Sequence, residues 1–300
     1  MVEESKEITS NDLSTEVPNQ EINLQYHWYL FSFFVIYFGS LLLPTTIFLC
    51  FFAYYFMPLF LEAENLMMLF LNINSLLTFL IMPLVIIFCY FLRLIFIALI
   101  TRVLWFITEK KSPSKDGIIP RNIPSKILNY YHIRSFMIKY PKNVFIKGIF
   151  PWLANWMFNF VKTNEIGKGT TIEEQVCADK FIHIGKNSYI GVNSVLTSHL
   201  VEGIFGNIIY FKLKVGDNVT LGGWNCFASG TEIHDNSYLM PSAHGGKHYI
   251  VKGNNIYLGM PLRKIFKKKI ANYLDLTIED LEKNDRLANI QQERKRNIDQ

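Results

Sequence analysis

One histidine, His199, lies in a segment where its imidazole could do chemistry. The segment runs from Thr197 to Gly203 and begins where a regular repeat of the chain is interrupted. Binding faces are commonly built on excursions of this kind. Because imidazole has an ordinary pKa of about 6.5, it is largely neutral at pH 7 and can act as a general base. Glu202, nearby in sequence, could fix its tautomer. The alternative interpretation is that His199 has no catalytic role and is a corner residue or a surface histidine.

Three further histidines, His234, His244 and His248, raise the possibility of a metal site. Zinc commonly takes three His ligands and a water molecule. The three-residue gap between His244 and His248 could supply two of these ligands. His234 stands at a position where the repeat turns, so a structural corner is the leading interpretation there. We therefore expect no resident metal.

A period of six residues organises the chain around His199. Before the interruption the repeat positions are Ile166, Ile172, Ala178, Ile184, Ile190 and Leu196, and after it they are Val215, Leu221, Phe227, Ile233, Leu239, Gly245, Val251 and Tyr257. Thirteen of these fourteen positions are apolar or aromatic, although the whole chain is only 50% hydrophobic. Glycine follows six of them, and asparagine recurs three residues after five of them.

This pattern predicts a left-handed parallel β-helix over residues 164–262. Each hexad forms a short strand and a corner, where Gly or Asn lets the chain turn without a Cβ clash. Three hexads close a triangular coil, and stacked coils bury a column of apolar side chains. A β-sandwich is less favoured, because it requires alternating residues and turns every 8 to 12 residues.

The repeat resembles that of the hexapeptide-repeat acyltransferases, which include galactoside, maltose and serine acetyltransferases. The closing run from Ile256 to Ile265 is similar to the terminal motif of that family. The resemblance implies a homotrimer with acetyl-CoA or another acyl-CoA in the groove between neighbouring prisms. It also places His199 at the position of the catalytic base, which deprotonates the hydroxyl or amine that attacks the thioester, with Glu202 as its possible partner.

Small residues on the later coils are the candidates for binding the pantetheine arm, and two basic residues after the last coil are candidates for binding its phosphates. The first group could equally be small because corners and stacks require it. The candidates are Gly222, Gly223, Ala228, Ser229, Ala243, Arg263 and Lys264.

One coil, from Leu239 to His248, departs from the family pattern in the region that helps to form the CoA groove. This departure favours an alternative in which the prism is a non-enzymatic trimerising scaffold. A third alternative is a zinc enzyme resembling the γ-class carbonic anhydrases, although the gap between His244 and His248 differs from that class. A looser resemblance exists to the membrane-plus-hexapeptide C-terminal region of poly-amino-acid and nonribosomal peptide synthetases.

The elements before the prism predict a membrane anchor. Residues 27–108 form an apolar region, and no Lys or Arg occurs between His27 and Leu92. This length accommodates at least two membrane-spanning helices, which we place near Tyr29–Phe56 and Met67–Tyr90, although three or four shorter crossings remain open. The alternative is a buried helical core. Because basic residues follow the second span, both termini and the prism are expected to be cytoplasmic.

The remaining segments are predicted from charge. Residues 1–26, with six acids and one lysine, read as a disordered acidic tail rather than a signal peptide. Residues 109–163 carry ten Lys or Arg. Interleaved aromatic residues, including Trp105, Tyr131 and Trp156, indicate an amphipathic helical linker on anionic lipid rather than a nucleic-acid site. Residues 263–300 are expected to form a basic cluster followed by a helix or tail.

The sequence thus predicts a mixed fold, with a transmembrane α-helical hairpin, an all-β left-handed β-helix and a C-terminal helix. Its expected activity is acyl transfer from CoA to a small or lipid-linked acceptor at a membrane.

Overall fold

A computed structural model describes residues 26–63, 65–173 and 180–265, together with residues 277, 279 and 283. Helices dominate the first part of the described chain and short strands the second. The helices are α1 (Tyr26–Phe51), which continues through a π-helical turn (Phe52–Phe56), α2 (Met57–Glu62), α3 (Leu66–Leu71), α4 (Ile73–Lys111), α5 (Lys126–Met137), α6 (Lys139–Ile146) and α7 (Leu153–Val161).

The strands follow, except for one that precedes α5. They are β1 (Gly117–Pro120), β2 (Glu165–Ile166), β3 (Thr171–Ile172), β4 (Ile182–Ile184), β5 (Tyr189–Ile190), β6 (Val195–Leu196), β7 (His199–Glu202), β8 (Asn207–Tyr210), β9 (Leu213–Val215), β10 (Thr220–Leu221), β11 (Cys226–Phe227), β12 (Glu232–Ile233), β13 (Tyr238–Leu239), β14 (His244–Gly245), β15 (Ile250–Val251), β16 (Ile256–Leu258) and β17 (Arg263–Ile265).

Two apolar helical stretches, Tyr26–Glu62 and Ile73–Lys111, are long enough to cross a membrane. They pack against each other through α1 and α4. The first predicted span lies within the first stretch. The second stretch differs from the prediction, because the Asn72 side chain accepts a hydrogen bond from the Asn74 amide at 2.9 Å and starts α4 at Ile73. It then continues to Lys111, well past the predicted end at Tyr90.

The basic linker, residues 109–163, folds into helices that pack on α4 and bury some of its aromatic residues. Helices α5, α6 and α7 pack on the C-terminal half of α4 around a core that includes Ile97, Met137 and Phe145. Trp105 and Tyr131 are buried in the protein, whereas Trp152 and Trp156 stay exposed. Part of the apolar surface of the linker therefore closes a core against α4, and the predicted contact of the linker with lipid stays a prediction.

The repeat region forms a three-sided prism, as its hexads predict. Its strands lie in three sheets with the orders β17-β16-β13-β10-β5-β3, β14-β11-β6 and β15-β12-β9-β4-β2. Successive coils pair in parallel, for example Thr220 with Tyr238 and Cys226 with His244. The repeat positions, among them Ile190, Leu221 and Leu239, fill the prism interior.

Asparagines and close-packed glycines form the corners. Asn218, Asn236 and Asn254 adopt positive φ values of 54°, 56° and 56°. Their side chains form a ladder, with Asn218 donating to Asn236 at 3.1 Å and Asn236 donating to Asn254 at 2.9 Å. At Gly185, an added Cβ would lie 2.5 Å from the carbonyl group of Gly216 in the next coil. Glycine there permits the coils to stack.

The break in the repeat is a β-hairpin, β7–β8, which projects between the first and second halves of the prism. Most stacked pairs are 18 residues apart, whereas Tyr189 pairs with Thr220 and Val195 with Cys226 across the break. Strand β1 joins the hairpin as a third antiparallel strand, with Gly117 opposite Tyr210. The linker is thus fastened to the segment that carries His199.

The last described strand, β17, folds back antiparallel on β16 and contains Arg263 and Lys264. The start of the predicted C-terminal segment is therefore a strand, because it pairs with the final coil instead of leaving it. The predicted acidic tail over 1–26 lies outside the described residues except for Tyr26, and so does nearly all of the predicted C-terminal helix.

Candidate functional site

His199 is the first residue of β7, at the edge where the hairpin leaves the prism. It lies directly opposite Tyr210 of β8 in the antiparallel ladder. Its side chain is half-buried. The ring of Tyr131 on α5 meets the imidazole edge-to-face with the ring centroids 6.0 Å apart. The linker helix and the hairpin therefore both position this histidine.

Thr197 fixes the backbone around His199. Its Oγ1 donates to the His199 carbonyl at 2.7 Å, accepts from the His199 amide at 3.3 Å, and lies 3.4 Å from Nδ1 of the ring. These contacts hold one side of the imidazole close to the chain.

Ser229 anchors the hairpin to the coil above it. This side chain is fully buried; its Oγ donates to the Ser198 carbonyl at 2.8 Å and accepts from the Phe211 amide at 2.9 Å. Its prediction as a CoA contact is corrected, because the hydroxyl is enclosed and occupied by both ends of the hairpin. Ser229 instead determines where His199 sits.

Glu202 is the last residue of β7, and its side chain does not lie beside that of His199. Residues three apart on a strand point to opposite faces, and the Glu202 carboxylate forms an ion pair with Lys247, at a corner two coils further on. The predicted role of Glu202 in fixing the His199 tautomer does not fit this arrangement. Its carboxylate ties the hairpin to the prism edge.

A buried lysine, Lys180, lies beside Tyr131 and Tyr210. Lys180 is 1% exposed, and its ammonium group lies 3.9 Å from the ring centroid of Tyr131 and 5.5 Å from that of Tyr210. It also hydrogen-bonds the hydroxyl of Ser135 on α5. Buried cations are stabilised by aromatic faces and donor contacts of this kind. Lys180 thereby joins the linker to the prism beside His199, a role that the sequence pattern did not suggest.

The structure distributes the other predicted CoA contacts over several places. The Thr197 amide donates a hydrogen bond of 3.1 Å to the carbonyl of Phe227. Ala228 follows Phe227 and therefore lies at the corner above Thr197. Gly222 and Gly223 lie at a different corner, between β10 and β11. At Gly222 an added Cβ would be 2.7 Å from the Pro241 nitrogen, so coil stacking explains this glycine.

Ala243 is fully buried in the prism core, so its prediction as a surface for pantetheine is corrected: its methyl group packs inward. Arg263 and Lys264 are exposed on β17 and remain accessible to an anionic ligand. Of the small-residue candidates, Ala228 and Ser229 lie next to the hairpin that carries His199, and the Ser229 hydroxyl is occupied by it.

The candidate zinc ligands do not converge. His234 is an exposed corner residue after β12, whereas His248 packs on Phe211 with ring centroids 4.5 Å apart. The Nδ1 atom of His244 lies 2.8 Å from the Ser242 carbonyl. Within the described residues, no three His, Cys, Asp or Glu side chains are grouped closely enough to hold a metal ion.

An imidazole–carboxylate pair on the first coils was not identified from the sequence. His183 Nδ1 lies 2.8 Å from Glu165 Oε2 on the first coils, and Lys212 also binds Glu165 at 3.2 Å. The His183 hydrogen bond holds the pKa of Glu165 below its ordinary value; burial opposes this lowering, and Lys212 adds to it. Glu165 and His183 are 18 residues apart, one full coil. That spacing was the signal available in the sequence.

No protein-family model matches this chain, and no curated protein matches it. Solved structures with a similar fold include a hexapeptide-repeat acetyltransferase from Vibrio cholerae, 23% identical over 36% of this chain and 64% of its own, with a TM-score of 0.32. Another structure, of the V. cholerae acetyltransferase complexed with acetyl coenzyme A, is 18% identical over 42% of this chain and 81% of its own, with a TM-score of 0.36.

A maltose O-acetyltransferase from Clostridium difficile is 18% identical over 37% of this chain and 73% of its own, with a TM-score of 0.32. The two V. cholerae structures are of hexapeptide-repeat acetyltransferases, the family that the sequence resemblance names. The likeness is partial and concerns the repeat fold, not the roles of particular residues.

Proposed function

We propose that this protein is a membrane-anchored acyltransferase that uses acetyl-CoA or another acyl-CoA, with His199 as its general base. The observation that carries the proposal is the placement of His199. The histidine begins the hairpin that interrupts the prism, is held by Thr197 and Tyr131, and lies beside the Ala228 corner. A half-buried imidazole in a fixed orientation is suited to proton transfer.

The proposed chemistry is acyl transfer to a hydroxyl or amine. His199 takes the proton from the acceptor as its oxygen or nitrogen forms a bond to the thioester carbonyl carbon. The carbon–sulfur bond then breaks, and the protonated imidazole returns the proton to the departing thiolate of CoA. A positioned base of this type typically contributes about a hundredfold to ten-thousandfold in rate.

The helical pair supports the proposed membrane anchor. A long helix in a soluble core is mostly buried, but the most apolar windows of the two candidate spans are only 17% and 28% buried in the protein. Large side chains such as Phe34, Leu42 and Leu80 face outward. With the basic residues after the second span on the cytoplasmic side, the prism and both termini are cytoplasmic in this proposal.

We propose further that the prism is left-handed and forms a homotrimer with the donor between neighbouring prisms. Trp224 and Val192 are 66% and 44% exposed on one prism edge, and the Trp224 amide donates a hydrogen bond to the Val192 carbonyl at 3.0 Å. Gly222 and Gly223 lie beside them. An exposed apolar edge next to small residues is a surface that a second subunit could cover.

The acceptor belongs to the classes that attack through oxygen or nitrogen: a sugar, an amino acid or a lipid headgroup. The membrane anchor favours an acceptor at the bilayer surface. The alternative function is a trimerising scaffold without catalysis, which would share the fold and the oligomeric state.

The proposal is tested with full-length protein in detergent. Light scattering gives the number of subunits, thermal shift reports acetyl-CoA binding, and release of free thiol is followed with a panel of sugars, amines and lipids. We expect a trimer that is stabilised by acetyl-CoA and releases CoA only with some acceptors. A trimer with neither stabilisation nor thiol release on any acyl donor would favour the scaffold.

A further inference from the structure

An apolar stripe runs along α4 from its membrane-spanning part to the prism. It consists of exposed side chains spaced three or four residues apart, so they share one helix face. They are Leu84, Phe88, Phe91, Ile95, Leu99, Val103 and Phe106. At 1.5 Å per residue the stripe is about 33 Å long. It therefore extends well past Arg93, the first basic residue of the helix.

Past Arg93, the rest of α4 is largely covered. Leu94, Ile97, Thr101 and Trp105 are buried against the α5–α7 layer. The stripe thus remains as a narrow apolar track after the other faces have been enclosed. A soluble helix end would not be expected to keep such a track in contact with water.

The track ends in a half-open cavity of about 570 Å³ between α4 and the first coils of the prism. Leu99, Val103 and Phe106 line it on the α4 side, and Phe181 and Tyr210 line it on the prism side. This volume is in the range of small-molecule sites, typically about 300–1,000 Å³. The cavity is therefore an apolar slot large enough for part of an amphiphile.

Positive charge lines the same cavity. Arg102, Lys162 and Lys212 contribute to its walls. Arg102 donates to the Phe160 carbonyl at 2.9 Å, which uses one of the five guanidinium N–H groups. Among the described residues, neither Arg102 nor Lys162 forms an ion pair with a carboxylate.

The two carboxylates of the cavity are already engaged. Glu109 pairs with Arg134 at 3.3 Å and also binds Ser114. Glu165 pairs with His183 and Lys212. The positive charges of Arg102 and Lys162 are therefore not neutralised by these carboxylates, and their electrostatic field favours an anionic group inside the cavity.

We propose that this cavity binds the headgroup of an anionic phospholipid from the cytoplasmic leaflet, with an acyl chain along the α4 stripe. The proposal rests on the membrane anchor described above and does not require acyl transfer. Tyr210 forms a wall of the cavity and also faces His199 across the hairpin. The bound headgroup is thus separated from the proposed base by one aromatic residue.

Native mass spectrometry of the full-length protein in detergent tests the proposal, using an equimolar mixture of phosphatidylglycerol and phosphatidylcholine with the same chains. We expect preferential retention of phosphatidylglycerol. Lys162→Asn, which retains a residue suited to the positive φ of 67° at this position, should lower retention roughly fivefold. Phe106→Asp, which places a carboxylate in the slot, should lower it roughly tenfold.

The matched controls are Ile127→Asp and Lys147→Asn. Ile127 is 57% exposed on α5 and Lys147 is an exposed cation, and neither lines the cavity. Both variants should retain phosphatidylglycerol like the wild type. Thermal unfolding and light scattering verify that all four variants are folded and have the wild-type oligomeric state.

Four results would overturn the proposal. The first is equal retention of the two lipids, the second is equal loss in test and control variants, and the third is displacement of the lipid by glycerol 3-phosphate, which has the charge without the chain. The fourth is a changed oligomeric state in Phe106→Asp, because it would assign the cavity to a neighbouring subunit. Since the assay contains no acyl donor, failure of acyl transfer would leave this result unaffected.

Discussion

The Ser229 hydroxyl donates a hydrogen bond of 2.8 Å to the Ser198 carbonyl, immediately before the proposed catalytic histidine. The same oxygen accepts the Phe211 amide, at the far end of the hairpin, at 2.9 Å. One buried side chain therefore closes the loop that carries His199. Catalytic groups require support of this kind, since small displacements reduce rates strongly.

We predict that Ser229→Ala lowers both stability and activity. Two partners lose their hydrogen bonds, which should reduce the free energy of unfolding by about 1–3 kcal/mol. The displaced His199 should reduce kcat roughly tenfold to a hundredfold. Denaturant unfolding and thiol release measure the two effects.

Ser237→Ala is the control for that variant. Ser237 is also buried and donates to the His234 carbonyl at 2.7 Å, at a corner away from the hairpin. It should lose similar stability and keep its kcat. If both variants lost kcat equally, Ser229 would have only a general structural role.

A second prediction concerns Glu202. Because its carboxylate binds Lys247 and not His199, Glu202→Gln and Lys247→Gln should have the same small effect on stability, below about 1 kcal/mol for a partly exposed pair. Each should change kcat less than about threefold, in contrast to loss of a general base. A large loss of kcat in Glu202→Gln alone would return Glu202 to the mechanism.

A third prediction concerns the asparagine ladder. Asn236→Ala places a residue with a Cβ but no side-chain hydrogen bond at a φ of 56°, which should lower the free energy of unfolding by about 1–2 kcal/mol. Asn236→Gly relieves the backbone strain while still breaking the ladder, so its loss should be smaller. Chemical denaturation compares the two, and equal losses would contradict the importance of the left-handed backbone.

A fourth prediction concerns pH. Burial, followed by the positive charges of Lys180 and Arg121, lowers the pKa of His132 below its ordinary value of 6.5. The unfolded chain then binds this proton more readily than the folded protein. Stability should therefore fall as the pH drops below about 6.5 and stay level with respect to this group above it.

His132→Phe tests that origin. The variant should lose the part of the pH dependence that lies between pH 5 and 6.5, as measured by thermal unfolding from pH 5 to 8. Glu165, whose pKa is also lowered, titrates below this range. An unchanged slope in the variant would assign the pH dependence to other groups.

The repeat was predictable because each hexad carries its own signal. Positions such as Ile190 and Leu239 are apolar for the same reason, since each fills one level of the prism. The two apolar helices were predictable from length and composition. The interruption at Leu196 also located the hairpin, because a break in a strict period is visible without any structure.

The surroundings of His199 were not predictable in the same way. Tyr131 reaches it from a helix nearly seventy residues earlier, and the Lys180 ammonium group lies over the rings of Tyr131 and Tyr210. Such pairings depend on how α5 packs on the prism, which no local period encodes. Ser229 and Ala243 were misassigned for a related reason, since a small residue serves a ligand, a corner or a core equally well.

The most direct test of the proposed function compares two histidine variants in the thiol-release assay with acetyl-CoA and an active acceptor. His199→Asn should lower kcat by about a hundredfold to ten-thousandfold, with acetyl-CoA binding retained. His183→Asn, which removes the imidazole that pairs with Glu165, should stay near the wild-type rate. Undiminished kcat in His199→Asn, or an equal loss in His183→Asn, would contradict the assignment of His199 as the base.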